Sequence, residues 1–420
     1  MLKLLTLVGA RPQIIKASAI SRVIRSQYAS SIREVIVHTG QHYDPQLSAV
    51  FFDELAIPQP DYNLRVGSGK HGDQTARMIH GLEEVLEIEK PDYLILYGDT
   101  NSTLAGAIAA SKLHIPIVHV EAGLRSFNKR MPEEINRILA DHVSTYLFPP
   151  TQAGVENLRR EGFRTDTLPP YTPDNPGIFN VGDVMYDNTL YFAQVAARQP
   201  DHMLCRLNLD QNKYVLATLH RNANTDDPVR LNAIFGTLHE LAQAYAMPIV
   251  MPLHPRTLKQ MQVSLAPALL EAIRANPWMR LLGPVSFLEI TQLEQHARLV
   301  ITDSGGVQKE AFFFGRPSLI LRAETEWVEI VESGLARLCD ARPDEIRRGF
   351  EAYLTMPMVQ PSLPYGSGKA ADTILSVILE NHPPLDRVSA VRPDSVRPNL
   401  FDGKPKRALQ KMENIYTTDK

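Results

Sequence analysis

The chain has 420 residues, 44% of them hydrophobic and 22% charged, with a formal net charge of −3. That length calls for two domains rather than one core, and the charge balance offers no basic surplus for nucleic acid or an anionic membrane. Two cysteines, Cys205 and Cys339, make neither a metal cluster nor a disulfide framework.

In chain order, the apolar start through Gly9 stops at Ala10-Arg11-Pro12. It is too short for a signal peptide or a span of about 20 residues. It reads as a first buried strand, residues 4–9, in a protein expected in the cytoplasm. Helical spacing over residues 14–25 precedes a second strand at 34–38, a helix at about 45–55, a glycine-rich loop at 66–72 and a helix at about 73–86. Two apolar runs, Leu94-Ile95-Leu96-Tyr97 and Ile115-Pro116-Ile117-Val118, follow, and each leads to a carboxylate, Asp99 and then Glu121. The pattern degrades over residues 159–176, and a strand-like segment at 178–182 leads to a helix ending near 198. A hinge is placed at 182–212. A second series of strands runs at 214–219, 248–251, 279–282, 299–302 and 318–321, with a last helix at 366–379. Residues 382–420 read as an irregular tail. β-branched runs alternating with helices predict two doubly wound parallel sheets, with ligands beyond the carboxyl ends of the strands.

Chemistry concentrates at those strand ends. Asp99, Glu121 and Glu133 converge on one sheet edge, which is costly unless cations or a substrate accompany them. Arg11 and Lys16 follow strand one in a segment that is neither a dinucleotide fingerprint nor a P-loop. Ser304-Gly305-Gly306 follows a strand and opens a helix expected over 307–314, which suits a phosphate and equally suits a simple N-cap. Glu310 lies deeper in that helix, placed for ribose hydroxyls or for solvent. His220 and His254 end strands of the second half, as candidate acid, base or phosphate donors. His38, His42 and His119 make a weaker case in the first half. No His/Cys/Asp spacing matches a metal site. The residues alone fit an epimerase, a glycosyltransferase or a phosphate-binding module.

Six ordered motifs carry a resemblance. They are Gly9-Ala10-Arg11-Pro12-Gln13, Gly98-Asp99-Thr100-Asn101-Ser102-Thr103, His119-Val120-Glu121-Ala122-Gly123-Leu124-Arg125, Pro132-Glu133-Glu134-Ile135-Asn136-Arg137, Leu219-His220-Arg221-Asn222 and Thr302 to Glu310. Over residues 1–380 the chain resembles the non-hydrolysing UDP-N-acetylglucosamine 2-epimerases. The resemblance implies a GT-B fold, with two Rossmann-like domains around a deep cleft at 1–182 and 183–365 and a helix at about 366–380 returning to the first. It implies inversion at C2 of a UDP-linked N-acetylhexosamine by elimination of UDP to a glycal and re-addition, in a homodimer without cofactor. Carried over by position, Asp99, Glu121 and Glu133 are the acids and bases, with His220 against the diphosphate or the acid/base network. Arg11, Lys16, Ser304, Gly305 and Gly306 hold phosphates, Glu310 the ribose, and Phe287 flanks the uracil. Arg125, Arg137 and His254 join the substrate-binding set.

Departures from the commoner pattern are Ala10, Gln13, residues 222–227, Phe312-Phe313-Phe314-Gly315, and Thr325-Glu326-Trp327 where Thr-Glu-Arg is usual. They look more like the subgroup acting on UDP-2,3-diacetamido-2,3-dideoxyglucuronate, made for polysaccharides of the bacterial surface. Its C6 carboxylate wants an added cation, for which Arg125, Lys129 and Arg130 are the candidates. Gln41-His42 remains from a loop that serves substrate activation in relatives, but Tyr43-Asp44-Pro45 differs, so activation is not carried over.

Overall fold

The computed structural model describes residues 1–41, 58–199, 202–357 and 364–382. His42, the helix expected at 45–55 and the tail from 383 lie outside the described residues. Strand β1, Leu2–Val8, is buried on both faces, as a run of Leu and Val between two helical layers must be. It pairs in parallel with β2, Ile32–His38, and with β4, Tyr93–Tyr97. With β3 (Tyr62–Asn63), β5 (Ile117–Val120), β6 (Tyr146–Phe148) and β7 (Gly177–Ile178), the order is β3-β2-β1-β4-β5-β6-β7, parallel throughout.

The second half repeats the plan with β8 (Val215–Thr218), β9 (Ile249–Pro252), β10 (Met279–Leu282), β11 (Leu299–Thr302), β12 (Ser318–Ile320) and β13 (Ala336–Leu338). Their order is β10-β9-β8-β11-β12-β13, again parallel. Each sheet reverses its order beside its first strand, which opens a crevice at the strand ends. Two such sheets with helices on their faces make the GT-B fold.

Several expected boundaries shift for local reasons. Pro12 sits at the start of the first helix, Arg11–Val23, where its missing N–H costs nothing. Of the segment expected as strand at 178–182, Ile178 pairs with Leu147 and the Phe179 N–H donates to the Leu147 carbonyl (3.0 Å), after which the ladder ends and Gly182 turns the chain with φ +86°. The last helix is Ala370–Asn381 rather than 366–379, because Gly366 and Gly368 adopt φ +85° and +78°. Strands β3, β6 and β13 are too short to carry a hydrophobic period of their own.

That last helix is held by the helix Val184–Ala197. Asp187 accepts the N–H groups of Ala370 (3.0 Å) and Ala371 (2.8 Å), two donors that the helix itself cannot satisfy. Tyr28 fastens the other side by donating to Asp372 (2.9 Å). Asp187→Ala should weaken the helix start by about 1–2 kcal/mol. Amide exchange at residues 370–374 then accelerates by about 5–30-fold, and unchanged exchange there refutes the cap.

Candidate active site

A cleft of about 660 Å³ opens between the strand ends of the two sheets. Arg11, Lys16, Asp99, Glu121, Glu133 and Arg137 line it from the first half. His220, His254, Phe287, Ser304, Gly305, Gly306 and Glu310 line it from the second.

The first wall is built on two tight turns. After β4 the chain turns at Gly98 with φ +60°, where a Cβ would stand 3.1 Å from Lys16 Nζ and 3.5 Å from Glu121 Oε1. A side chain there would be strained by the positive φ and would crowd the Lys16 ammonium. Asp99 follows and accepts from Arg137. Burial raises the Asp99 carboxyl above its ordinary range, against the pull of Arg137 and Lys16. After β5, Glu121 takes φ +70°, a conformation that residues other than glycine rarely adopt. Lys16 Nζ lies 2.5 Å from its Oε1 and Lys309 Nζ 3.3 Å from its Oε2. Burial opposes its ionisation, but the two ammonium groups prevail and hold the carboxyl down at about 2. Glu133 is exposed at the start of the helix Pro132–His142. Its neighbour Glu134 points away, accepting from the N–H groups of Ser126 and Phe127, each at 2.9 Å.

The second wall is built on a helix start. Ser304 caps the helix Gly305–Phe313 and, with Gly305 and Gly306, faces the cleft. A Cβ on Gly305 would lie 2.9 Å from Glu326 Oε1, so the backbone stays bare there. His220 is half-exposed. Its backbone N–H and that of Arg221 both donate to the buried Asp303 (3.1 and 3.0 Å). Burial lowers the His220 pKa, and Asp303 holds it up. His254 caps the helix Pro255–Ser264 through Nδ1 at the cleft mouth. Phe287 packs edge-on against Phe192, with ring centroids 5.0 Å apart. Behind them, Glu294 is 1% exposed and its Oε1 has no hydrogen-bond partner. Burial, and then the charge of Glu310, pushes its carboxyl far up; burial raises Glu310 to about 7.

The model of the UDP-N-acetylglucosamine 2-epimerase family matches residues 25–379. The chain belongs to that family. The Pseudomonas aeruginosa UDP-2,3-diacetamido-2,3-dideoxy-D-glucuronate 2-epimerase is 48% identical over 373 residues, 89% of this chain and 98% of that protein. The crystal structure of the Methanocaldococcus jannaschii UDP-GlcNAc 2-epimerase, in complex with UDP-GlcNAc and UDP, superposes with a TM-score of 0.78 at 39% identity, covering 90% of this chain and 100% of that one. The Neisseria meningitidis enzyme bound to UDP-GlcNAc gives 0.77 at 28% identity over 90% of this chain and 100% of its own.

Against this family background, several expectations are corrected. Arg125 is not among the side chains that line the cleft. Its guanidinium is buried between Asp141 (2.8 Å) and Glu161 (2.6 Å), which leaves no face for a substrate. Asp141 also accepts from His119 (2.7 Å), whose other ring nitrogen meets the Gly98 carbonyl at 2.8 Å. His119 therefore braces the turn before Asp99 and is no acid or base of the cleft. His38 likewise lies in the core, where its Nδ1 accepts the Gly40 N–H at 2.8 Å. Neither Lys129 nor Arg130 lines the cleft.

Two residues went unread from sequence. Lys309 and Asp183 look like an ordinary helical lysine and a helix cap; in the fold they form a 2.6 Å ion pair beside Glu121. Trp327, noted from sequence as a departure, is buried, with Lys309 Nζ 3.8 Å from its ring centroid. One signal was available, since Gly305 and Lys309 are four apart on one helix face.

The Glu294 and Glu310 pair carries a stability prediction. An unfolded glutamate titrates near about 4.3, whereas folded Glu294 keeps its proton well above that. Between the two values the folded state binds more protons, so this group's contribution falls as pH rises. Glu294→Gln removes that slope. Its melting temperature, relative to wild type, should rise by about 2 °C between pH 5 and pH 8; a pH-independent difference refutes the buried acid.

Proposed function

We propose that this UDP-sugar 2-epimerase inverts C2 of UDP-2,3-diacetamido-2,3-dideoxy-D-glucuronate to the manno configuration, for bacterial surface polysaccharide, by eliminating and re-adding UDP. The observation that carries the mechanism is the pair Asp99 and Glu121. Their carboxyls are pushed in opposite directions on one wall, facing the helix start at Ser304 on the other. The 48% identity to the Pseudomonas aeruginosa enzyme supports the substrate. The same reading takes 1–182 and 183–365 as two domains closing on the substrate, in a homodimer.

In this reading a carboxylate of the first wall takes the C2 proton while the C1–O bond breaks. The electron pair of C2–H becomes the C1=C2 bond of a glycal, and the pair of C1–O leaves with UDP. The free N–H groups and dipole of the helix at Ser304, with Arg11 and Lys16, stabilise the departing diphosphate. His220 lies against it, Glu310 meets the ribose, and Phe287 flanks the uracil. UDP then adds back to C1 as a carboxylic acid returns a proton to C2 from the opposite face, which inverts that carbon. The uronate carboxylate needs a cation other than Arg125. Arg221 and Arg322 line the cleft, and Arg322, paired with Glu326 at 3.0 Å, keeps a buried Nη1 without a hydrogen-bond partner.

Incubation of each nucleotide sugar in D₂O, followed by proton NMR, tests both parts. Deuterium should enter C2 of both epimers, with the diacetamido-uronate turned over at least about ten-fold faster than UDP-N-acetylglucosamine. Asp99→Asn and Glu121→Gln should each lower kcat by about 10²–10⁴-fold without loss of fold. Epimerisation that keeps protium at C2, or one UDP released per turnover, would sink the mechanism. A preference for UDP-N-acetylglucosamine would reassign the substrate.

A further inference from the structure

Lys309 belongs to the helix that follows β11 of the second sheet, and it is 3% exposed. Its Nζ meets Glu121 at 3.3 Å, Asp183 at 2.6 Å and the Trp327 ring at 3.8 Å. Glu121 directly follows β5 of the first sheet. Asp183 stands where the chain crosses between the sheets, just after the left-handed Gly182, and caps the helix Val184–Ala197. Its N–H donates to Tyr365 at 2.9 Å, on the segment that leads back to the last helix. One buried ammonium thus touches both sheets and the crossing between them.

We propose that Lys309 is a positioning residue that makes the ionisation and aim of Glu121 depend on closure of the cleft. The proposal rests on the reading of Glu121 as a proton-handling group. The two cations on Glu121 differ in origin. Lys16 rides on the first sheet with Glu121, so their contact persists however the sheets move against each other. Lys309 arrives from the second sheet, so its contact exists only when the sheets are together. The charged and titratable groups facing Glu121 are Lys16, Lys309, Asp99, Asp183 and Tyr365. Among them, Lys309 is the one carried on a helix of the second sheet. Asp183 and the indole face of Trp327 keep that ammonium charged in a site it could not otherwise occupy. Opening the cleft withdraws one of two cations from a carboxylate in a strained backbone, and both its charge and its direction relax. Substrate binding across the two walls restores them, so the group becomes competent only around its substrate.

The test compares wild type with Lys309→Met and Lys309→Gln, neutral variants of similar length. Two quantities are followed: the acid limb of kcat/KM for C2 epimerisation, and direct titration of Glu121 in protein carrying ¹³C-labelled glutamate carboxyls, assigned with Glu121→Gln. Loss of a cation at this range should move both upward by about 1–2 pH units, with kcat reduced and UDP affinity within about threefold of wild type. A Glu121 titration and acid limb that stay in place in a folded neutral variant overturn the proposal. So does unfolding of both variants, which would make Lys309 a stability element only. The carboxyl titration needs no turnover, so it decides the matter even if wild type leaves C2 unlabelled in D₂O, the result that would defeat the epimerase mechanism instead.

Discussion

Glu121 is held where neither its backbone nor its charge would rest unaided. Its φ of +70° costs about 1–3 kcal/mol for a residue with a side chain, and a buried carboxylate alone would take up a proton. Lys16 and Lys309 reverse the second cost, and Asp183 balances the added charge. Two ammonium groups face two carboxylates, so the formal charges of the cluster cancel. Replacing one member by a neutral residue of similar shape leaves a neighbouring charge with fewer partners, at a cost in local stability.

The surrounding fold reads as support for that cluster. Gly98 is bare because its φ of +60° strains any side chain and a Cβ there would crowd the Lys16 ammonium at 3.1 Å. The Gly98 carbonyl is fixed by His119, His119 by Asp141, and Asp141 by Arg125, which closes on Glu161. Gln13 works beside it. Its Oε1 accepts from Gly9 N–H (2.9 Å) and its Nε2 donates to Tyr97 (2.9 Å), tying β1 to the strand end before Asp99. The arginines of this stretch do offset its acids, but through partition: Arg137 serves Asp99 and Glu134, while Arg125 serves Asp141 and Glu161.

What was legible in the sequence follows from which forces act locally. Strands such as β4 and β11 are continuous apolar runs, so their existence and order could be read directly. A glycine pair after a serine at a strand end marks a bare helix start by backbone chemistry alone. Arg125 was misread because its partners, Asp141 and Glu161, lie 16 and 36 residues along the chain, and a guanidinium carries no mark of which acid will claim it. Lys309 was missed for the converse reason. Within its helix it resembles a solvated lysine, and only the packing of the second sheet against Glu121, Asp183 and Trp327 buries it. Side chains whose role depends on contacts between the two sheets are the ones that local pattern cannot assign.

The chemistry of the cleft turns on keeping its acids different. Asp99 and Glu121 sit at adjacent strand ends and repel one another, and Glu121 is among the groups that raise Asp99. A symmetrical pair would share protons indifferently. Here the single pairing of Asp99 with Arg137 fails to overcome burial, whereas the double pairing of Glu121 does. Their surroundings therefore hold one carboxyl above its ordinary range and its neighbour below it. Inversion at a carbon by loss and return of a proton requires both states at once, on groups that reach different faces. In the mechanism proposed, an arriving diphosphate adds negative charge and pushes both carboxyls upward. On that proposal, Lys309 keeps Glu121 in its lower state through that change, so a cation from the far side of the cleft matters more with substrate bound than without.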